Sequence, residues 1–600
     1  MRQHSRLTIA VLAALTALAL LVTNAPAQAD PRAIAKTPTA VGTGGAVTTV
    51  DPEATRVGLD VLRKGGNAVD AAVAAAATLG VTEPYSAGIG GGGFFVYYDA
   101  TSEQVHTIDG RETAPAAMTP DTFNGLSFND AVTSGLSAGV PGTPATWQEA
   151  LDRWGTLSLK KALQGGRQVA NRGFVVDATF RQQTADNEDR FNDFTSTRDL
   201  FLPNGAPPVV GTVFKNPDLA ETYERLGTEG VDWLYDGELA SEIVDTVQHP
   251  PVAPDANRTV RPGQMTTSDL AAYTAPLRAP TLVDYRGLQV YGMGPPSSGG
   301  STVGEALNIL DNVNLSTMTR TQALHHYFEA SALAYADRGA YLADPAAMTA
   351  SLDELLSQEF ADERFCAVNP AAAMPKPTAA GAPDGSYDTN CDGADDAATA
   401  VDREGQSTTH LTVADRWGNV VAYTLTIEST GGNAMVVPDR GFLLNNELTD
   451  FNFSDSPSDD NHPNAPGPGK RPRSSMAPTI VLDDRVPFLA LGSPGGSTII
   501  TTVLQMLVNR LDLGMTLPQA LAEPRATQRN TAAVQAEPMF DPAQRAALTA
   551  LGHSFTVTPP PGEIGAATGI EFLDDGRLLA AAEPVRRGGG SAGVVRPSAE

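Results

Sequence analysis

A threonine pair at the entry to a strand, Ser407-Thr408-Thr409-His410-Leu411-Thr412-Val413, is where chemistry could start in this chain. A threonine hydroxyl is a weak nucleophile unless a base stands beside it. Breaking the 407–408 bond would supply one, because the new α-amine of Thr408, with a pKa of ~8, can take the proton of its own hydroxyl. Alone, the pair reads as ordinary β-branched strand sequence, so other segments must decide. Two glycine-rich turns qualify as partners. Gly294-Pro295-Pro296-Ser297-Ser298-Gly299-Gly300 and Gly492-Ser493-Pro494-Gly495-Gly496-Ser497 each follow a strand and open a helix. Such turns present free backbone N–H groups that stabilise an anion or an oxyanion.

Other chemistries fall away. There is no Gly-x-Ser-x-Gly elbow, and Ser158-Leu159-Lys160-Lys161 has Ser-x-x-Lys spacing without a Lys-Thr-Gly partner. The histidines, His325-His326 included, lack His-Glu-x-x-His spacing, so zinc is not expected, and threonine chemistry of the kind above needs no metal or organic cofactor. Gly88 to Gly93 lacks the ending of a phosphate loop and precedes a strand, which points to close backbone packing. Asp388-Thr389-Asn390-Cys391-Asp392-Gly393 imitates the opening of a calcium loop, but its twelfth position is Thr399 rather than glutamate.

The elements that must hold these residues read as one continuous α/β body from Gly42 onward. Val47–Val50 predicts a strand, Asp51–Arg63 a helix ended by Gly65-Gly66, and Ala68–Leu79 an alanine-rich helix capped by Asn67. Phe94–Tyr98 is an aromatic strand. Helices dominate 150–180, 215–245 and 303–341, with Phe328, Ala332, Tyr335 and Ala336 on one face of the last. Strands are expected at Thr408–Val413, Val420–Ile427, Gly441–Leu444, Ile480–Leu482 and Phe488–Leu491. Loops rich in proline, glycine and aspartate fill 366–405 and 452–469. The sharpest boundary lies near residue 407, and no internal repeat is present.

Lys+Arg 41 against Asp+Glu 69 leaves a net charge of −28, which argues against tracking nucleic-acid phosphates or anionic lipid. Arg2 and Arg6, the apolar run Leu7–Val22 and Ala27-Gln28-Ala29 have the form of a Sec-type signal peptide over 1–29, so export is expected, with no membrane span left after its removal. Outside the cytoplasm Cys366 and Cys391 are expected to form one disulfide.

Taken in order, these segments resemble the γ-glutamyltransferase (γ-glutamyltranspeptidase) family, in its secreted bacterial form. The resemblance runs from about Val41 to the C-terminus. It rests on Gly65 to Ala72, Gly90 to Phe94, Arg111-Glu112-Thr113-Ala114-Pro115, Gly139 to Thr143, Gly294 to Gly300 and Tyr335-Ala336-Asp337-Arg338. Thr408-Thr409-His410, Leu444-Asn445-Asn446-Glu447, Arg473-Ser474-Ser475-Met476 and Gly492 to Gly496 complete it.

The resemblance implies an N-terminal nucleophile hydrolase fold, a four-layer αββα sandwich. It also implies self-cleavage between Ser407 and Thr408 into a large (30–407) and a small (408–600) subunit that stay together as a heterodimer. Thr408 is then the nucleophile, Thr426 orients its hydroxyl, and Gly495 and Gly496 supply the oxyanion hole. Arg111 clamps the α-carboxylate of a γ-glutamyl group with Ser474 and Ser475, while Glu447, Asp450 and Glu428 accept its α-ammonium. Glutathione or another γ-glutamyl amide is the implied donor, and water, amino acids or peptides the acceptors.

Two departures stand out. Ser429-Thr430-Gly431-Gly432-Asn433-Ala434 differs from the family's usual wording, and 452–469 lacks the tyrosine that closes a lid in some members, so an open or differently gated site is expected. Competing readings are a cephalosporin (glutaryl) acylase-type amidase of the same fold and an inactive binding protein on this scaffold. Retention of Glu428, Glu447 and Asp450 speaks against the first, and the intact catalytic set against the second.

Overall fold

Local signals start the chain as expected. Asp51 caps helix α1 (Pro52–Arg63) by accepting from the N–H groups of Glu53 and Ala54. Asn67 and Asp70 form a reciprocal capping box on α2 (Ala68–Thr82). Every residue of α2 is buried. Its alanines let neighbouring backbones approach, and a larger residue on any face would have to displace something. The computed structural model describes residues 30, 32–391, 407–453, 462–559 and 562–598. The expected signal segment, the calcium-like positions after Cys391 and positions 454–461 of the second loop lie outside the described residues.

Twelve strands carry the architecture: β1 (Thr39–Thr49), β2 (Gly92–Asp99), β3 (Gln104–Gly110), β4 (Thr281–Tyr285), β5 (Leu288–Gly292), β6 (Thr409–Asp415), β7 (Val420–Thr426), β8 (Thr479–Asp483), β9 (Val486–Gly492), β10 (Thr568–Phe572), β11 (Leu578–Ala582) and β12 (Ser591–Pro597). One half runs β3-β2-β7-β6-β1 and the other β11-β10-β9-β8-β5-β4, antiparallel throughout. β1 joins them: Thr39–Gly42 pairs with β11, Gly45–Thr48 with β6, and β12 pairs along it with a register shift between Thr43 and Ala46. The halves stack with β7 over β9 and β10 over β6.

Phe94 and Phe95 point to opposite faces of β2 and enter two different cores. Phe95, Leu411, Val413 and Tyr423 pack under α1, α2, α3 (Thr143–Trp154), α4 (Leu159–Arg172) and α5 (Pro217–Glu229). Phe94, Ala422, Ile480, Leu489 and Ile570 fill the space between the sheets and toward α6 (Gly299–Asp311), α7 (Arg320–Tyr341) and α8 (Ile499–Leu511). Strands buried on both faces explain the near-continuous apolar runs. Helices, sheet, sheet and helices make the αββα sandwich of the N-terminal nucleophile hydrolases.

Three expectations need correction. Gly441–Leu444 is no strand: it makes a single bridge, Val436 to Leu443, and the Gly441 carbonyl accepts from the side chain of Asn216 at 2.7 Å instead of joining a ladder. β6 begins at Thr409, one residue later than read. α7 is buried all round from Ala323 to Arg338 rather than on one face, because α6 and the helix Pro542–Ala550 both pack on it. Cys366 and Cys391 are bonded as expected.

Candidate active site

Register brings the reacting groups together. β6 and β7 pair with Leu425 opposite Thr409, so the residues one step beyond, Thr408 and Thr426, meet side by side. Thr408 Oγ1 lies 2.6 Å from the Ser407 carbonyl oxygen and 3.4 Å from Thr426 Oγ1. Thr426 Oγ1 donates to the same carbonyl at 2.8 Å and accepts the N–H of Glu428 at 2.8 Å. The carbonyl of the 407–408 bond is therefore polarised by hydroxyls, with the Thr408 hydroxyl already against it. Thr409 is no competitor, since its hydroxyl is buried without a partner. His410 sits between Thr424 Oγ1 at 2.8 Å and Thr412 Oγ1 at 3.1 Å. Burial pushes its imidazole down to about 3, too weak a base to serve a reaction near pH 7.

A charged cluster faces this junction. Arg111, fully buried just past β3, donates through Nη1 to Glu447 and through Nη2 to Asp450. Its other donors meet the carbonyls of Pro472 at 3.0 Å and Arg473 at 2.9 Å. Glu447 and Asp450 open and close one 3₁₀ turn, where positions i and i+3 eclipse, so both carboxylates reach one guanidinium. Glu447 keeps a second oxygen, Oε2, buried and without a partner. Glu428, at φ +75°, is pinned by Ser429 Oγ at 2.5 Å and by the side-chain amide of Asn446.

Ser475 Oγ accepts from Arg338 Nη2 at 2.8 Å. The Ser474 carbonyl accepts from the N–H and the hydroxyl of Ser298, both at 2.7 Å. Arg338 Nε also bonds Ser298 Oγ at 2.7 Å. The Tyr-Ala-Asp-Arg segment thus braces the serine pair against the first glycine-rich turn. In the second turn Gly495 (φ +141°) and Gly496 (φ +55°) adopt conformations that side chains rarely tolerate. They head the 3₁₀ turn Gly496–Thr498, whose first N–H groups have no acceptor within the helix.

One cleft is lined by Arg111, Ser407, Thr408, Thr426, Glu428, Glu447, Asp450, Ser474, Ser475 and Gly496, with Met476 and Ile499 as its apolar wall. Gly495 adjoins it without lining it. Larger surface cavities, such as the one between Thr195 and Gly441, contain none of these residues.

Several participants escaped sequence reasoning. Arg338 and Asn446 lay inside quoted motifs but carried no visible role. His325, Glu329 and His553 converge although no spacing announced them, with His325 2.8 Å from His553 and Lys376 donating to Glu329 at 3.0 Å. Glu112, beside Arg111, is buried with both oxygens unpartnered, and burial raises its carboxyl to about 8.

Comparison with known proteins places this geometry. The family described as gamma-glutamyltranspeptidase matches residues 54–593. The glutathione hydrolase proenzyme of Bacillus subtilis (strain 168) is 39% identical over 556 residues, covering 91% of each chain. That of Escherichia coli (strain K12) is 36% identical over 555 residues and 90% of each chain. Among solved structures, a cephalosporin acylase from Bacillus halodurans superposes with a TM-score of 0.81 at 28% identity, covering 95% of this chain and 99% of that one.

Proposed function

The chain belongs to the γ-glutamyltranspeptidase family and is a γ-glutamyl acyltransferase and hydrolase, and we propose that it matures by self-cleavage at Ser407–Thr408 and then uses Thr408 as its nucleophile. The observation that carries this reading is the seating of the Thr408 hydroxyl 2.6 Å from the Ser407 carbonyl oxygen, in the cleft that also holds Arg111, Glu447 and Asp450.

In this reading the freed α-amine of Thr408 takes the proton of its hydroxyl, and Oγ attacks the γ-carbonyl of glutathione or another γ-glutamyl amide. The N–H groups of Gly495 and Gly496 hold the oxyanion, and Thr426 orients Oγ. The departing amine takes up the proton, and water, an amino acid or a peptide resolves the acyl-enzyme. Arg111, with Ser474 and Ser475, takes the α-carboxylate; Glu447, Asp450 and Glu428 take the α-ammonium. The large (30–407) and small (408–600) subunits remain one heterodimer, exported through the segment 1–29.

Charge favours this reading over the acylase. Arg111 is already paired with two carboxylates, so an incoming zwitterion exchanges ion pairs: its carboxylate takes the guanidinium while its ammonium takes Glu447 and Asp450. A glutaryl group has no ammonium and would leave those carboxylates buried and uncompensated, a penalty of about 3–5 kcal/mol. The test compares a γ-glutamyl anilide with a glutaryl anilide. A preference of ~10²–10⁴-fold for γ-glutamyl is expected, and equal kcat/KM values would favour the acylase.

A further inference from the structure

The 407–408 bond is gripped by residues that stand apart from the recognition cleft. Ser407 Oγ donates to the Tyr85 carbonyl at 3.0 Å and lies 2.7 Å from Ser86 Oγ. Ser86 accepts from Arg587 Nη2 at 2.8 Å, and Arg587 Nη1 donates to the Thr408 carbonyl at 2.6 Å. One guanidinium thus reaches both flanks of the bond, the far side directly and the near side through Ser86.

Both anchors are held by their own surroundings. Arg587 sits at φ +54° in a tight turn, its N–H bonded to Glu563 at 2.7 Å and its carbonyl accepting from Thr179 at 3.1 Å. Tyr85 is wedged against Phe180, Phe191 and Phe201, with its hydroxyl 2.6 Å from Thr184.

We propose that Ser86, backed by Arg587, is a positioning clamp for self-cleavage and not for γ-glutamyl turnover, an inference that rests on Thr408 being the residue that cuts. In the cut, Thr408 Oγ adds to the Ser407 carbonyl carbon and the C–N bond breaks. The hydroxyl proton ends on the Thr408 amine, and water hydrolyses the resulting ester to a Ser407 carboxylate and a restored Thr408 hydroxyl. The attack needs Oγ held over its own preceding carbonyl. Fixing Ser407 by its hydroxyl and Thr408 by its carbonyl removes the rotations that would separate them. Neither Ser86 nor Arg587 lines the cleft around Arg111, so Ser86 acts once in the life of each molecule.

The test uses full-length wild type, Ser86→Ala, Ser86→Thr and Thr408→Ala, following the appearance of two chains on a denaturing gel, turnover of a γ-glutamyl anilide per cut molecule, and the unfolding midpoint of the uncut forms. Ser86→Ala is expected to slow scission at least tenfold, Ser86→Thr to restore it within threefold, and turnover per cut molecule to stay within twofold of wild type. Scission of Ser86→Ala at the wild-type rate, a parallel loss of turnover, or equally slow scission in both variants with a lowered unfolding midpoint would each overturn the clamp. Cleavage of Thr408→Ala would instead remove the underlying nucleophile assignment, whatever Ser86 does.

Discussion

Around the Thr408 hydroxyl the hydrogen-bonding groups are hydroxyls and backbone, set by the ends of two central strands, and the nearby imidazole of His410 is kept neutral. Around Arg111 they are full charges carried by a 3₁₀ turn, with backbone carbonyls completing the guanidinium. On the proposed roles, bond-making sits at the ends of two buried central strands. Recognition, on the same proposal, sits where buried ions can trade partners. The difference teaches that the two tasks can be damaged separately: one through the rate of scission and acylation, the other through discrimination among acyl groups.

The sharpest division comes from Thr408→Ala. It should remain one band on a denaturing gel and lose γ-glutamyl anilide hydrolysis by at least ~10⁴-fold, while the Arg111 cluster stays folded. Next is Arg111→Gln, which leaves Glu447 and Asp450 buried without their cation. kcat/KM should fall ~10²–10⁴-fold, from about 3–5 kcal/mol, with scission still complete. Loss of scission as well would join the two halves and break the comparison. Thr426→Val removes one donor from the Ser407 carbonyl and should slow scission about tenfold, a net hydrogen bond of about 1–1.5 kcal/mol. A large change in KM with it would count against the separation.

The smallest effect belongs to Glu112, the buried neighbour of Arg111. Its folded carboxyl is raised to about 8 by burial, so from the ordinary carboxylate value up to pH 8 the folded state holds a proton that the unfolded chain has released. Stability must then decline as pH rises through that window. Glu112→Gln removes the decline, and its melting point should gain on wild type by about 1 °C per pH unit between pH 5 and 8. A constant offset would show that Glu112 is ionised when buried.

Much of this could be read before any coordinates. Thr408, the glycine turns and the serine pair each lie in a short run of sequence, but local chemistry left them open, and their expected roles came from the resemblance of the ordered segments to the family. The apolar runs of β2, β6 and β7 and the caps of α1 and α2 were equally legible, because they depend on neighbours within a few residues. What stayed hidden needs distance. Nothing in Glu447 or Asp450 says that both engage Arg111, more than three hundred positions away, and no local pattern could link Ser86 to Arg587. Gly441–Leu444 was misread for the same reason: a distant asparagine took the carbonyl that a strand would have used.

β6 and β7 lie between β1 and β2, so a cut at 407–408 yields two polypeptides woven through a shared sheet rather than two lobes resting on each other. Once melted, the pieces would have to find each other by diffusion, and recovery would become second order in protein concentration where the uncut precursor folds alone. The working lifetime of the matured molecule is then governed by how slowly it comes apart, and dilution after unfolding makes the loss permanent.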